Sequence, residues 1–218
     1  MNANALPVFV VVEGLDGVGK STLVKRLSAE LAAAPIQTPQ AQLAPLRPMI
    51  LQCFAGSPRA TTLFYASTLV AAAAEVAAHR SAGRAVVLDR YFLSTCAYGQ
   101  VLRAEQHPAD LLSLLGAQLV PADLTVYLFA DPSRRRERMA ARGHLGAEDQ
   151  LSTELQLATN LDAAYRSMST HPLVGRWLPV DTSALTVDQT IAAICQEVPG
   201  SRFCPTTGSH RAPEGGVL

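Results

Sequence analysis

Two short stretches carry residue types whose spacing could do chemistry. The first, GLDGVGKST (14–22), closes an apolar run, VFVVVE, with glycines and then places a lysine and two hydroxyl residues side by side. The spacing Gly14-x4-Gly19-Lys20-Ser21, after a strand and opening a helix, suits a backbone that wraps an anion with its own amides. On this reading Gly14, Leu15, Asp16, Gly17, Val18 and Gly19 form the wrapping turn and Lys20 reaches the outer phosphates of a nucleoside triphosphate. Ser21, followed by Thr22, is the expected ligand of a magnesium ion. A turn with no ligand has no need of Lys and Ser at these offsets.

The second stretch is VVLDRY (86–91), where an apolar strand gives out in an acid followed by a base. Asp89 can hold the metal shell or orient an attacking oxygen, and Arg90 can grip a second anion through two parallel hydrogen bonds. The pair points to a phosphorylated acceptor, against the plainer alternative of an ion pair on the surface. Neither the NKxD segment nor the DxxG turn of a GTPase switch occurs in a plausible place. The strand also lacks the adjacent acids usual in mechanochemical ATPases. A third run, DPSRRRERMAARG (131–143), aligns Arg134, Arg138 and Arg142 along one helical face, which by itself is compatible with a solvated stripe.

The elements that must position these residues alternate. Apolar runs at 8–12, 85–89, 124–129 and 178–183 read as four strands, and 21–34, 63–83 and 187–197 as helices. Strands separated by helices imply an α/β fold, an open parallel sheet with helices on both faces and ligands at the carboxyl ends of the strands. Residues 35–62, with five prolines, read as a loop with room for one short helix. The expected organisation is one domain over 1–198 and a flexible tail over 199–218, rich in Gly, Pro, Ser and Thr.

Composition narrows the partners. Eighteen basic against eighteen acidic residues in 218 cancel, so no global field draws the chain to nucleic acid or acidic lipid. Four scattered cysteines (Cys53, Cys96, Cys195, Cys204) form no CxxC pair and read as reduced thiols. No secretion signal and no stretch with the length and apolarity of a membrane span is read from the sequence, which leads to the expectation of a cytoplasmic protein.

Taken in order, GLDGVGKST, LFYA (63–66), DRYFLSTCAY (89–98), ADLTVYLFADPSRRRERMAARG (122–143) and Tyr165 resemble thymidylate kinases over roughly 8–198. The resemblance implies a nucleoside monophosphate kinase-like P-loop fold and transfer of the γ-phosphoryl group of ATP to dTMP with Mg2+. It also implies small nucleotide substrates and a homodimer, which the alanine-rich helix 66–79 independently suggests. It implies that Arg90 grips the acceptor phosphate, that Asp89 and Asp16 lie near the transferring group, and that Phe64 stacks on the base. Thr95 would then sit near the polar edge of the base and Tyr98 against the sugar. A lid over 133–150 would close on ATP, and with Gly17 standing where some relatives carry a loop arginine, Arg138 and Arg142 become the expected catalytic lid cations.

The acceptor half departs from the family pattern. TPQAQLAPLRP (38–48) stands where an Arg-Glu-Pro segment is common, and Ser67 and Thr68 stand where Asp-Arg is usual. Arg47 and Arg59 are the candidates for the missing charge, with Thr68 able to contribute only a hydrogen bond. A kinase of the same fold with another small acceptor, or an ATP-binding module without efficient transfer, remains open at this point.

Overall fold

A computed structural model of the chain describes residues 6–102, 110–111, 115–141 and 154–198. Five parallel strands form one sheet in the order β2-β3-β1-β4-β5. They are β1 (Phe9–Gly14), β2 (Ala34–Gln37), β3 (Val86–Asp89), β4 (Leu124–Phe129) and β5 (Arg176–Asp181). The helices are α1 (Lys20–Glu30), α2 (Arg47–Cys53), α3 (Pro58–Ser81), α4 (Phe92–Leu102), α5 (Pro132–Ala140), α6 (Leu155–Ser167) and α7 (Val187–Glu197).

β-branched residues occupy the central strand because it is covered on both faces: every residue from Phe9 to Gly14 is buried. Its neighbours β3 and β4 are equally apolar, and the register pairs Val12 with Asp89 and Gly14 with Leu128. This register brings the ends of β1 and β3 level, so the glycine turn and the Asp-Arg pair share one edge. α1 packs on β3 and α7, and α3 packs on β2, β3 and α4.

The segment 35–62 is more ordered than its composition suggests. It contributes β2, whose four residues include Pro35, besides α2 and the start of α3. β2 is an edge strand paired only to β3, so a residue without an N–H is tolerated there. Helix α3 begins at Pro58 rather than 63, because Ser57 caps it by accepting from the Ala60 amide at 3.4 Å and proline suits the first turn. The last strand runs 176–181 rather than 178–183, since its pairing with β4 starts at Leu124 opposite Arg176.

One expectation about membranes needs correction. α3 does reach the length and mean hydropathy (1.3) of a membrane span, but half of that window is buried inside the fold against the sheet. Of the cysteines, Cys96 and Cys195 are buried and Cys53 is exposed. Cys204, the tail 199–218 and residues 142–150 of the expected lid, including Arg142, lie outside the described residues.

Candidate active site

The glycines of the turn are required for two different reasons. Gly14 has φ 137°, and a Cβ there would stand 2.2 Å from the Leu128 carbonyl oxygen of β4. Gly17 has φ 84°, and a Cβ would stand 2.8 Å from the carbonyl oxygen of Arg135 in α5. Gly19, by contrast, has open space around it and precedes α1 with φ 99°, a backbone that disfavours any side chain. Leu15 and Val18 turn inward and anchor the loop. No side chain caps α1, so its first amides are directed at the turn and can receive an anion.

Lys20, the first residue of α1, is buried and donates through Nζ to the Leu15 carbonyl at 2.8 Å, with Asp16 3.6 Å away. Burial, and secondarily the Arg90 charge, lower its pKa from 10.5 to about 8, with Asp16 opposing the shift. One turn edge further, Ser21 Oγ donates to Asp89 Oδ2 at 3.0 Å. A hydroxyl and a carboxylate this close, both at the mouth of the turn, are the hard oxygen donors that suit Mg2+.

Arg90 leaves β3 with φ 66°, in the left-handed region that side chains seldom adopt. The distortion is held by its contacts. The guanidinium pairs with Asp16, donates to Ser94 Oγ at 3.2 Å and lies 5.7 Å from the centroid of the Tyr98 ring. Tyr98 in turn donates to Asp16 Oδ2 at 3.0 Å. Burial opposes ionisation of Asp16, yet the Arg90 and Lys20 charges hold its carboxyl well below the usual carboxylate range. Burial likewise acts against the Arg90 charge, and Asp16 together with Tyr98, Tyr165 and Asp89 more than offsets it, so Arg90 stays ionised.

Behind Arg90 stands a buried network that the sequence reading passed over. Glu13 of β1 accepts from the amides of Tyr91 (2.8 Å) and Ser94 (3.2 Å) and from Ser94 Oγ at 2.5 Å. Ser94 Oγ also lies 2.8 Å from the Tyr165 hydroxyl. Glu13 therefore receives the first amides of α4 from a neighbouring strand and steadies the turn that carries Arg90. Burial pushes its pKa up from 4.5 to about 7, against the pull of these hydrogen bonds. The signal was available: a lone acid inside a run of valines is costly unless something holds it.

One cleft joins these groups. Its walls include Lys20, Ser21, Asp89 and Arg90 at the strand ends, and Arg47, Tyr65, Thr68, Thr95 and Tyr98 on the helices. Phe64, expected at the base, is half-buried and absent from the cleft lining; its ring lies 5.2 Å from that of Tyr65, the residue that does line the cleft. The helical turn simply presents the next position inward. Thr68 lines the wall, but its hydroxyl donates to the Tyr65 carbonyl at 2.7 Å. Arg59 is exposed, whereas Arg47 donates through Nε to the Tyr65 hydroxyl at 3.0 Å.

Of the two arginines expected on a lid, the structure describes Arg138. Arg138 turns to β5, donating to Thr182 Oγ1 at 3.1 Å and to the Thr182 carbonyl at 2.7 Å. It lines a second cavity with Gly19, Thr22, Thr182 and Leu185, away from the Asp89 and Arg90 side of the turn. Thr182 binds the Val18 carbonyl at 3.0 Å, so Arg138 is tied to the loop through one residue. Arg135, in the middle of the run Arg134-Arg135-Arg136, is only 4% exposed and donates to the Asp16 carbonyl at 2.8 Å. The same close contact that excludes a side chain from Gly17 brings Arg135 to the loop.

A family profile described as Thymidylate kinase matches residues 12–178. A protein of Leifsonia xyli named thymidylate kinase is 34% identical over 192 residues, covering 81% of this chain and 87% of its own. One of that name from Shewanella amazonensis is 30% identical over 154 residues, covering 65% and 74%. The solved structure of thymidylate kinase from Candida albicans shares the fold, with a TM-score of 0.67 at 22% identity, covering 88% of this chain and 91% of that one.

Proposed function

This chain belongs to the thymidylate kinase family, and from that premise we propose that it transfers the γ-phosphoryl group of ATP to dTMP. The observation that carries the reading is two cations side by side at one edge of the cleft, Lys20 with Ser21 on the glycine turn and Arg90 with Asp89 at the end of β3. Two charged substrates that must react in line need two such sites at the same sheet edge.

The turn amides and Lys20 receive the triphosphate, and Arg90 receives the phosphate of dTMP in exchange for part of its pairing with Asp16. Asp16 fixes the guanidinium and Tyr98 together, so the acceptor meets a preorganised surface rather than mobile side chains. Asp89 lies where it can orient the attacking oxygen. Mg2+, held by Ser21 and Asp89 together with phosphate oxygens, would offset charge on the transferring group. The cavity lined by Arg138, Thr22 and Leu185 is the place proposed for the adenine of ATP, with Arg138 beside it. Arg142 stays a candidate for the charge above the transferring phosphoryl. A cytoplasmic homodimer joined through the outer face of α3, where Ala71, Ala74 and Ala78 are exposed, completes the reading.

Coupled ADP-release assays across deoxynucleoside monophosphates test it. The expected result is Mg2+-dependent turnover with dTMP far above the rate with water; turnover no faster than with water would overturn the dTMP reading.

A further inference from the structure

One buried oxygen collects the contacts behind Arg90. Ser94 Oγ, near the start of α4, lies 3.2 Å from Arg90 Nη1, 2.5 Å from Glu13 Oε2 and 2.8 Å from the Tyr165 hydroxyl. Glu13 comes from β1 and Tyr165 from α6, which packs along α4. Tyr165 has no exposed surface and stands outside the lining of the cleft, so its hydroxyl acts on the cleft through Ser94.

The hydrogen-bond inventory of this oxygen requires a partner that can both donate and accept. Glu13 Oε1 is taken by the amides of Tyr91 and Ser94, which leaves Oε2 to face the serine hydroxyl. A guanidinium only donates, so Ser94 has to offer Arg90 a lone pair in every arrangement. With Glu13 ionised, Ser94 donates to Oε2 and accepts from Arg90 and Tyr165. With Glu13 protonated on Oε2, Ser94 accepts from Glu13 and Arg90 and gives its own proton to Tyr165. A phenol completes either set, and the Arg90 contact survives in both. The adjacent Tyr127 offers no such service: its ring centroid is 5.2 Å from that of Tyr165, but its hydroxyl donates to Asp162 Oδ1 at 2.6 Å.

Arg90 needs the support. Its φ of 66° is seldom adopted by a residue with a side chain. Its charge partner is Asp16, whose pairing the acceptor phosphate displaces in part, and Ser94 is then the side chain left to aim Nη1.

We propose that Ser94 and Tyr165 are positioning residues for the acceptor phosphate, which together hold the Arg90 guanidinium in place, Tyr165 acting through Ser94. The inference rests on the nucleoside monophosphate reading above and adds to it a residue of α6 that lies outside the cleft.

The test is a double-mutant cycle on the full chain, with S94A, Y165F and S94A/Y165F set beside the wild type and Y127F, read as kcat/KM for dTMP and KM for ATP. S94A is expected to lower kcat/KM for dTMP about tenfold, the loss of a hydrogen bond to a charged group, and Y165F about fivefold. In the S94A background Y165F changes it by less than about twofold, because the link to Arg90 is already cut. KM for ATP holds throughout. Y127F removes a hydroxyl from the same aromatic cluster and leaves both values at those of the wild type. Additive effects of S94A and Y165F, a matching rise in KM for ATP, or Y127F behaving as Y165F does overturns the assignment and leaves the kinase reading standing. Should Y165F melt early, S94A decides: an unchanged kcat/KM for dTMP overturns the assignment, and its fall with KM for ATP held supports it. A wild type that leaves dTMP unphosphorylated takes down the nucleotide reading, and this inference with it.

Discussion

The two ends of the cleft are built differently. At the phosphate end, side chains emerge from the carboxyl ends of β1 and β3, and most polar groups have a partner within the protein: Lys20 with Leu15, Ser21 with Asp89, Arg90 with Asp16 and Ser94. At the base end, the wall comes from α2 and from the turns before it, whose residues pack loosely enough that none of α2 is buried. The difference matches the ligand proposed for each end. Phosphate is alike in every substrate and rewards a rigid, backbone-made cradle, whereas a base is distinguished by its edge and can be read by any side chain that reaches it. The strand ends keep the family pattern and the helical wall does not.

The sharpest way to break this contrast is at Lys20. Replacement by Ala should lower kcat by about a thousandfold, since the proposed reaction sets this charge on the transferring group. ADP release under saturating ATP measures this, and a loss of only a few fold would mean that the phosphate end is less prescribed than described. Arg90→Ala comes next, with kcat/KM for the monophosphate falling roughly a hundredfold while ATP binding is retained. Titration of ATP against the variant checks the second half; loss of ATP affinity would show that Arg90 serves the donor rather than the acceptor.

Glu13→Gln sharpens the contrast through pH. The Glu13 carboxyl has a folded pKa of about 7, raised from 4.5, so the folded state holds its proton more tightly than the unfolded chain. Its contribution to stability is full below about pH 4.5 and is lost as pH rises through about 7, on the order of 3 kcal/mol in all. Gln stays neutral, so thermal melts near about pH 5 and about pH 8 should show a flatter profile for the variant than for the wild type. Parallel profiles would mean that the Glu13 hydrogen bonds keep its carboxyl ionised across the range. Gly17→Ala is expected to have the smallest effect, about 2 kcal/mol of stability, from a strained φ and a clash with the Arg135 carbonyl. Melting a few degrees lower would register it, and an unchanged melt would show that α5 can retreat from the turn.

Legibility in the sequence followed the same division. The glycine turn and the Asp-Arg pair were readable because strand, turn and helix are local, and a phosphate cradle demands fixed residue types at fixed offsets. The sheet class was readable from alternation, yet β2 was not, since four residues containing Pro35 on an edge strand leave no apolar run to see. Phe64 was assigned the base by motif and Tyr65 lines the cleft instead, because the rotation of α3 depends on how its buried face packs on β2, β3 and α4. Arg135 follows Arg134 and precedes Arg136 in the sequence, and only the approach of α5 to Gly17 buries it.

By itself the sequence determined the strand-turn-helix of residues 9–30, the Asp89-Arg90 pair at a strand end, and the class of an α/β sheet that puts both at one edge. Those properties rest on short-range geometry and on charge types that admit few substitutes. Only the tertiary structure decided that Glu13 supports the Arg90 turn, that Arg138 faces Thr182, and that Arg47 rather than Arg59 enters the cleft. Each of these contacts joins elements distant in sequence or depends on the rotation of a helix about its axis, and packing against the rest of the core sets both.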